Sequence, residues 1–250
     1  MTDTPAPDPT GWNPLGAALM DFHNGEDAVE ITITSDLWED EHTPVATFYR
    51  PEEQPLSELD ARALGLCRGR VLDLGAGAGR HSLELQTSGH EVVAVDLLPE
   101  AVEIMRDRGV VDARCCDIAA VKGGTFDTVV MLMHGLGVVG DVHGLGSLLE
   151  DLPAILRPKG RLICDSADLT AVFEDESPEL LEELSSPDRY LGEVEFGLRY
   201  GDLEGPSYPW LFIDPDRLKI IAEAAGFKMD VAFRGDRGSY LAVLELLSTG

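Results

Sequence analysis

The sequence predicts an α/β protein: a doubly wound, mostly parallel sheet that ends in an antiparallel hairpin. Three observations carry this reading. VLDLGAGAGRHSLEL, residues 71–85, passes from a strand through glycines into a helix; short β-branched runs alternate with helical periodicity from residue 70 onward; and two strand-like runs flank the turn GDRG near the C-terminus. Strand one is RVLDL, 70–74. A helix over about 79–88 stops at Gly89, and HEVVAVD then supplies a second strand whose near-continuous apolar run implies burial on both faces. Pro99 opens the next helix, where a missing N–H costs nothing, Ala101, Val102 and Met105 form its apolar face, and Gly109 ends it. A third strand ends at Asp117, and FDTVVMLM follows the loop VKGGT as the fourth. Leu145, Leu148, Leu149, Leu152, Ile155 and Leu156 mark one helical face that ends before LRPKG, a turn, after which GRLICDS is strand five. In DPDRLKIIAEAAGF, Asp214 caps a helix, Pro215 occupies its first turn and Gly226 closes it. FKMDVAFR and SYLAVLEL pair around GDRG as the final hairpin.

Two regions stand outside this scheme. Residues 167–213 are an insertion, with an acidic helix near 178–185 and an inserted strand pair, YLGEVEFGLRY and SYPWLFI. Residues 1–60 are an N-terminal cap, in which AVEITIT alternates as a strand and Trp12, Trp38, Phe48 and Tyr49 are available to line a pocket. The main domain accordingly runs from 61 to 250.

Composition narrows the function classes. The formal charge is -27, and only four lysines stand against fifteen arginines. Such a surface repels itself at low salt and suits a salt-rich cytoplasm, a halophile-like composition. It also argues against a nucleic-acid backbone as partner. No apolar stretch approaches the roughly 18 residues of a membrane helix, and the opening MTDTPAPDPTGW is acidic and proline-rich where a signal peptide is basic and apolar. Cys67, Cys115, Cys116 and Cys164 lack C-x-x-C spacing and read as reduced thiols, so the expected setting is cytoplasmic, without nucleic-acid or membrane partners. The same spacing leaves a metal site without support, although Asp165 and Asp168 near the end of strand five are carboxylates that could in principle hold one.

The glycine loop decides the ligand class. A strand running into glycines and a helix N-terminus presents backbone N–H groups, and a dinucleotide is the default expectation. Here Gly75, Gly77 and Gly79 give G-x-G-x-G rather than G-x-G-x-x-G, and Asp73 would repel a pyrophosphate while attracting an ammonium group.

At this point VLDLGAGAG resembles the first motif of the class I S-adenosylmethionine-dependent methyltransferases, an acid followed by x-G-x-G-x-G, and the resemblance extends over roughly residues 60–250. It implies a Rossmann-like, seven-stranded sheet in the order three-two-one-four-five-seven-six with strand seven antiparallel. It implies S-adenosyl-L-methionine as cofactor, held by Asp73, Gly75, Ala76, Gly77 and Gly79. Asp96 and Leu97 would meet the ribose hydroxyls at the end of strand two, Asp117 and Ile118 would meet the adenine in RCCDI, and Met133 would lie beside the site at the end of strand four. His81, two residues past Gly79, would touch the methionine end.

Methyl transfer from a sulfonium is an in-line displacement with a good neutral leaving group, so alignment and exclusion of water matter most and a base is optional. His134, directly after strand four, is the candidate base. Tyr49 and Arg50 lie in the region that would fold over the site, where an arginine could hold a carboxylate, and Trp210 is a candidate pocket wall. No proline-proline-aromatic motif follows strand four, so a small-molecule acceptor is favoured over a nucleobase. The competing readings are a non-catalytic S-adenosylmethionine-binding protein and an NAD-dependent oxidoreductase; the second requires G-x-G-x-x-G in the loop after strand one, where Gly75, Gly77 and Gly79 stand instead, and a Tyr-x-x-x-Lys, which the sequence lacks.

Overall fold

The computed structural model describes residues 9–51, 54–117, 120–121, 125–173 and 189–247. Its central sheet contains β3 (Arg70–Leu74), β4 (Glu91–Asp96), β5 (Ala113–Cys115), β6 (Phe126–Met131), β7 (Leu156–Ala167), β11 (Phe227–Arg234) and β12 (Ser239–Leu246). These lie in the order β11-β12-β7-β6-β3-β4-β5. Numbered within the sheet, this is three-two-one-four-five-seven-six from the β5 edge, with the last strand antiparallel to both neighbours. The strand order and the terminal hairpin are those expected from the sequence.

Alternation along the strands loads both faces. Leu72, Val93, Val129 and Leu162 face one core with α6 (Val142–Asp151) and α8 (Pro215–Ala224). Val71, Val92, Val130 and Ile163 face another with α3 (Glu58–Gly65) and α4 (Arg80–Thr87), while Ala94 packs on α5 (Pro99–Asp107). Helices on both faces are what a parallel sheet needs to bury its two apolar surfaces. The helix punctuation follows the sequence. The Asp214 carboxylate accepts from the Arg217 N–H at 2.8 Å, and Gly89, Gly109 and Gly226 take positive φ after their helices.

Two boundaries differ from the sequence reading. LRPKG lies within β7: Leu156 pairs with Phe126, Arg161 with Thr128, and the residues between leave the register, with Lys159 at φ 64°. The turn is thus an excursion from a strand that starts earlier than GRLICDS. The division at residue 60 cuts through α3, whose Ala63 is buried against Val71 and Leu85, so this helix belongs with the central sheet. The acidic helix near 178–185 falls outside the described residues.

The cap and the insertion fold together rather than apart. β1 (Glu30–Ser35), β2 (Glu41–Pro44), β8 (Glu193–Tyr200), β9 (Leu203–Glu204) and β10 (Tyr208–Leu211) form a second, antiparallel sheet in the order β10-β8-β1-β2. Thr32 pairs with Arg199 and Ser35 with Phe196, so a strand of the N-terminal region is the inner neighbour of an inserted strand. Helix α1 (Asn13–His23) lies between this sheet and the glycine loop, its Ala18 and Leu19 buried with Ile31, Leu198, Ile104 and Ala78.

Candidate active site

The three loop glycines do two different jobs. Gly75, Gly77 and Gly79 have φ of 70°, 53° and 79°, a region that costs an L-residue roughly 1–2 kcal/mol. A Cβ on Gly75 or Gly77 would meet nothing within 4 Å, so these two keep an open face on the loop. A Cβ on Gly79 would lie 2.9 Å from Val110 Cγ2 and 3.1 Å from Met105 Cγ, so this glycine lets α4 approach α5. The loop is tied to β4: the Gly75 and Ala76 N–H groups donate to the Val95 carbonyl at 3.0 Å each.

Asp96 ends β4 beside this open face. Its Oδ2 accepts from the Gly77 N–H at 2.8 Å and its Oδ1 from the Leu98 N–H at 2.9 Å, which fixes the loop and the Leu97 turn on one carboxylate. An ionised carboxylate has about four acceptor positions, so each oxygen keeps one for a ligand hydroxyl. Burial pushes the Asp96 carboxyl up, against the N–H groups that hold it ionised. The Cys116 N–H donates to the Asp96 carbonyl at 3.1 Å, which brings half-buried Asp117 to the same edge. Ile118 is outside the described residues.

Beneath the loop lies a buried polar cluster. Asp73 sits within β3, 2 % exposed, and accepts from the Ser82 hydroxyl at 2.5 Å; burial pushes its carboxyl up. His81 turns inward, 4 % exposed, with Nε2 3.1 Å from Asp60 Oδ1. The sequence expectation for His81 is contact with the methionine end of the cofactor; in the structure the first turn of α4 points its ring at Asp60 on α3. Arg80 donates from Nη2 to Asp60 Oδ2 at 2.7 Å and from Nη1 to the Thr47 carbonyl at 2.6 Å, and Nη1 lies 3.0 Å from Met133 Sδ. Burial works to raise the Asp60 carboxyl; the His81 hydrogen bond and the charges of His81 and Arg80 outweigh it and hold it at about 2.

The strand-four end is the most strained part of the site. Met133 and His134 are consecutive non-glycine residues at φ 60° and 56°. Each such residue costs on the order of 1–3 kcal/mol, and such pairs persist where the surroundings over-determine them. Here they do: the His134 N–H donates to Asp165 Oδ2 at 3.0 Å, and Arg80 touches Met133. The same Oδ2 lies 3.4 Å from His134 Nδ1, and the imidazole packs edge-on against Phe212 at 5.4 Å. His134 Nδ1 and Asp165 Oδ1 are both buried without a hydrogen-bond partner, while the His134 side chain is 37 % exposed, so its Nε2 side is the accessible one. Burial raises the Asp165 carboxyl, and the adjacent His134 opposes that rise. Asp165, considered from sequence as a metal carboxylate, therefore faces a histidine, and Asp168 caps α7 (Leu169–Val172) by accepting from the Thr170 N–H at 2.9 Å.

The remaining candidates are placed by the cap. Arg50 is 5 % exposed, its guanidinium paired with Glu84 on α4 and donating to the Gln54 carbonyl at 2.7 Å. This corrects its expected role as a holder of substrate carboxylate: it fastens the cap to α4. Tyr49 bonds His23 Nδ1 through its hydroxyl at 2.9 Å, and its ring lies 4.0 Å under the Arg108 guanidinium. Arg108 also donates to the Ala78 and Tyr49 carbonyls at 2.7 and 2.8 Å, so Tyr49 belongs to the fastening of cap to loop rather than to an acceptor wall. Trp210 packs against Gly137 in the loop after His134, where a Cβ would come within 2.6 Å of its indole. The sequence reading missed Asp60 and Arg80, and it missed Asp165 as the partner of His134. An acid closing strand five was the visible signal for Asp165; α3 carries none for Asp60.

Residues 71–160 match a family described as a methyltransferase domain. A solved S-adenosylmethionine-dependent methyltransferase from Bacteroides fragilis, in complex with S-adenosyl-L-homocysteine, is 35% identical, covers 97% of this chain and 98% of its own, and superposes with a TM-score of 0.85. The ubiquinone biosynthesis O-methyltransferase of Xanthomonas oryzae pv. oryzae is 30% identical over 164 residues, 61% of this chain, and the match spans 65% of that protein's length. The CcbJ methyltransferase from Streptomyces caelestis, 16% identical with a TM-score of 0.60 over 82% of this chain and 96% of its own, shares the fold. The open glycine face and the braced Asp96 suit a cofactor of this kind. Strand order, loop and the end-to-end match at 35% identity agree: the chain belongs to the class I S-adenosylmethionine-dependent methyltransferases, with S-adenosyl-L-methionine as cofactor.

Proposed function

We propose that the protein methylates a hydroxyl oxygen of a small-molecule acceptor, with His134 as general base. The observation that carries this is the His134–Asp165 pair at the end of β6, held on a strained backbone with Nδ1 toward the carboxylate and the other ring edge accessible. An amine acceptor needs only to be neutral before it attacks, whereas a hydroxyl gains from a base that takes its proton. The name of the Xanthomonas relative, an O-methyltransferase, supports the same assignment.

The cofactor, when bound, supplies an electrophilic methyl group on a sulfonium. In this reading the Gly75–Gly77 backbone faces it, Asp96 accepts from its ribose hydroxyls, Asp117 borders its adenine, and Asp73 lends negative charge beneath its ammonium side. His134 Nε2 takes the acceptor proton, and Asp165 stabilises the resulting imidazolium through Nδ1. Met133 sits at the turn between the two subsites. Helix α1 and the second sheet, β10-β8-β1-β2, together form the acceptor-side cap over the main domain. No helix among the described residues is long and apolar enough to cross a membrane. We place the protein in the cytoplasm, where its four free cysteines stay reduced.

Transfer of labelled methyl to a panel of hydroxyl and amine acceptors tests the reading. Hydroxyl acceptors are expected to be labelled, and His134→Gln to lower kcat about 10²–10⁴-fold, the usual contribution of a positioned base, with cofactor affinity unchanged by calorimetry. Labelling confined to amines, or an unaffected His134→Gln variant, refutes it.

A further inference from the structure

Six aromatic rings run in one continuous array from the cap to His134. Trp12 stacks on Tyr208 with centroids 4.3 Å apart and on Trp210 at 5.5 Å; Phe196 meets Trp210 at 6.4 Å, Trp38 at 5.6 Å and Phe212 at 6.1 Å; Phe212 meets the His134 ring at 5.4 Å. The array is assembled from the N-terminal region and the inserted segment, from β8, β10 and Phe212 just after β10, so neither segment carries it alone. Phe196 and Phe212 are buried, while Trp12, Trp38, Tyr208 and Trp210 are partly buried, so the array has a covered inner end at His134 and an outer end in contact with solvent. Aromatic rings that are mostly covered but open at one end, with a polar group at the other, fit the apolar wall of a ligand site with a single orienting group.

We infer that this array is the acceptor subsite, and that it takes a planar aromatic ring whose hydroxyl is presented to His134. The inference rests on the O-transfer reading above for the position of the hydroxyl. The ring selectivity rests on the array itself. Its neighbouring rings are tilted or edge-on to one another, at 32–72° between planes, which leaves edges and faces for offset or T-shaped contact with one more ring. A phenol fits both ends of this subsite: its ring replaces water on apolar surface, and its hydroxyl is the more acidic kind, which eases removal of the proton by an imidazole.

The chain's three tryptophans are all members of the array, so intrinsic fluorescence reads occupancy directly and without turnover. The probes are 2-naphthol and its saturated counterpart decahydro-2-naphthol, with cyclohexylammonium as a cation that rings also attract. Saturable quenching by 2-naphthol is expected, with calorimetric affinity at least tenfold tighter than for decahydro-2-naphthol or cyclohexylammonium. Trp210→Leu and Trp38→Leu should each weaken 2-naphthol several-fold while leaving S-adenosyl-L-methionine affinity unchanged, which also shows that the variants fold. Equal binding of the aromatic and saturated probes, tighter binding of the cation, or binding of none overturns the inference. Labelled methyl appearing equally on aromatic and saturated alcohols would remove the ring subsite and keep O-transfer; ring-selective binding with methyl only on amines would do the reverse.

Discussion

Replacing Asp60 by Asn tests whether the cluster beneath the glycine loop is held by charge. The carboxylate takes Arg80 Nη2 at 2.7 Å and His81 Nε2 at 3.1 Å, and all three residues are buried. An amide keeps one acceptor but leaves the Arg80 charge uncompensated. Removing one partner of a buried pair typically costs about 3–5 kcal/mol. For a chain of this size that corresponds to a fall in Tm of roughly 6–20 °C. The pH dependence is a second, independent signature. With the folded-state carboxyl at about 2 against an ordinary 3.8, Asp60 contributes about 2 kcal/mol, at about 1.4 kcal/mol per unit. Because the folded value is the lower one, that stabilisation is fully present above pH 4 and is lost as pH falls toward 2. Urea unfolding followed by circular dichroism from pH 7 downward should therefore show the wild-type and Asp60→Asn curves converging at the acid end. A loss below about 1 kcal/mol at pH 7, or a gap that stays constant into acid, would refute a charge-held cluster. An Asp60→Leu, Arg80→Met double variant should recover part of the loss, since apolar replacement of both partners removes the orphaned charge.

Other expectations follow from the same geometry. Gly77→Ala should cost about 1–2 kcal/mol from its positive φ and weaken S-adenosyl-L-methionine at least about tenfold, because its Cβ occupies the loop's open face. Gly79→Ala should instead lose more stability, through contact with Val110 and Met105; calorimetry beside thermal melts separates the two, and identical behaviour would contradict the division of labour. Asp165→Asn should raise stability at pH 8 while lowering kcat: burial lifts this carboxyl, so its charged form opposes folding once pH exceeds the ordinary carboxylate range. A stability loss with unchanged kcat would contradict both halves. With a net charge of -27, raising KCl from 0.1 to 2 M should increase Tm, and a flat or falling Tm would dispose of the salt-adapted reading.

The central sheet was legible because its signals are local. RVLDL, Gly89, Pro99, Gly109, Asp214 and the GDRG hairpin each act within a few residues, and parallel crossovers leave few ways to join them. LRPKG was misread because a strand that leaves and rejoins its register has the same composition as a turn. The second sheet was not legible, since pairing Thr32 with Arg199 is a long-range choice that no window of sequence contains. Of the site, the glycine loop was legible because its turn geometry, three positive-φ glycines between β3 and α4, is set by residues next to one another in sequence. His81 and Arg50 were not: each side chain is directed by a partner on another element, Asp60 and Glu84, and the same residue types at those positions are compatible with facing a ligand.

The pairing of β1 with β8 decides what can be cut from this chain. Residues 71–160, the part most readily recognised, would lack the closing hairpin and every strand of the second sheet. A start after residue 45 would remove β1 and β2 and turn β8 from an interior strand into a bare edge, with its N–H and C=O groups open to another copy. It would also free the underside of the cofactor loop where Ala18 and Leu19 now cover Ala78. Residues 9–45 are thus one half of a clasp whose other half arrives some 150 residues later, and a shortened form should self-associate instead of merely losing a lid.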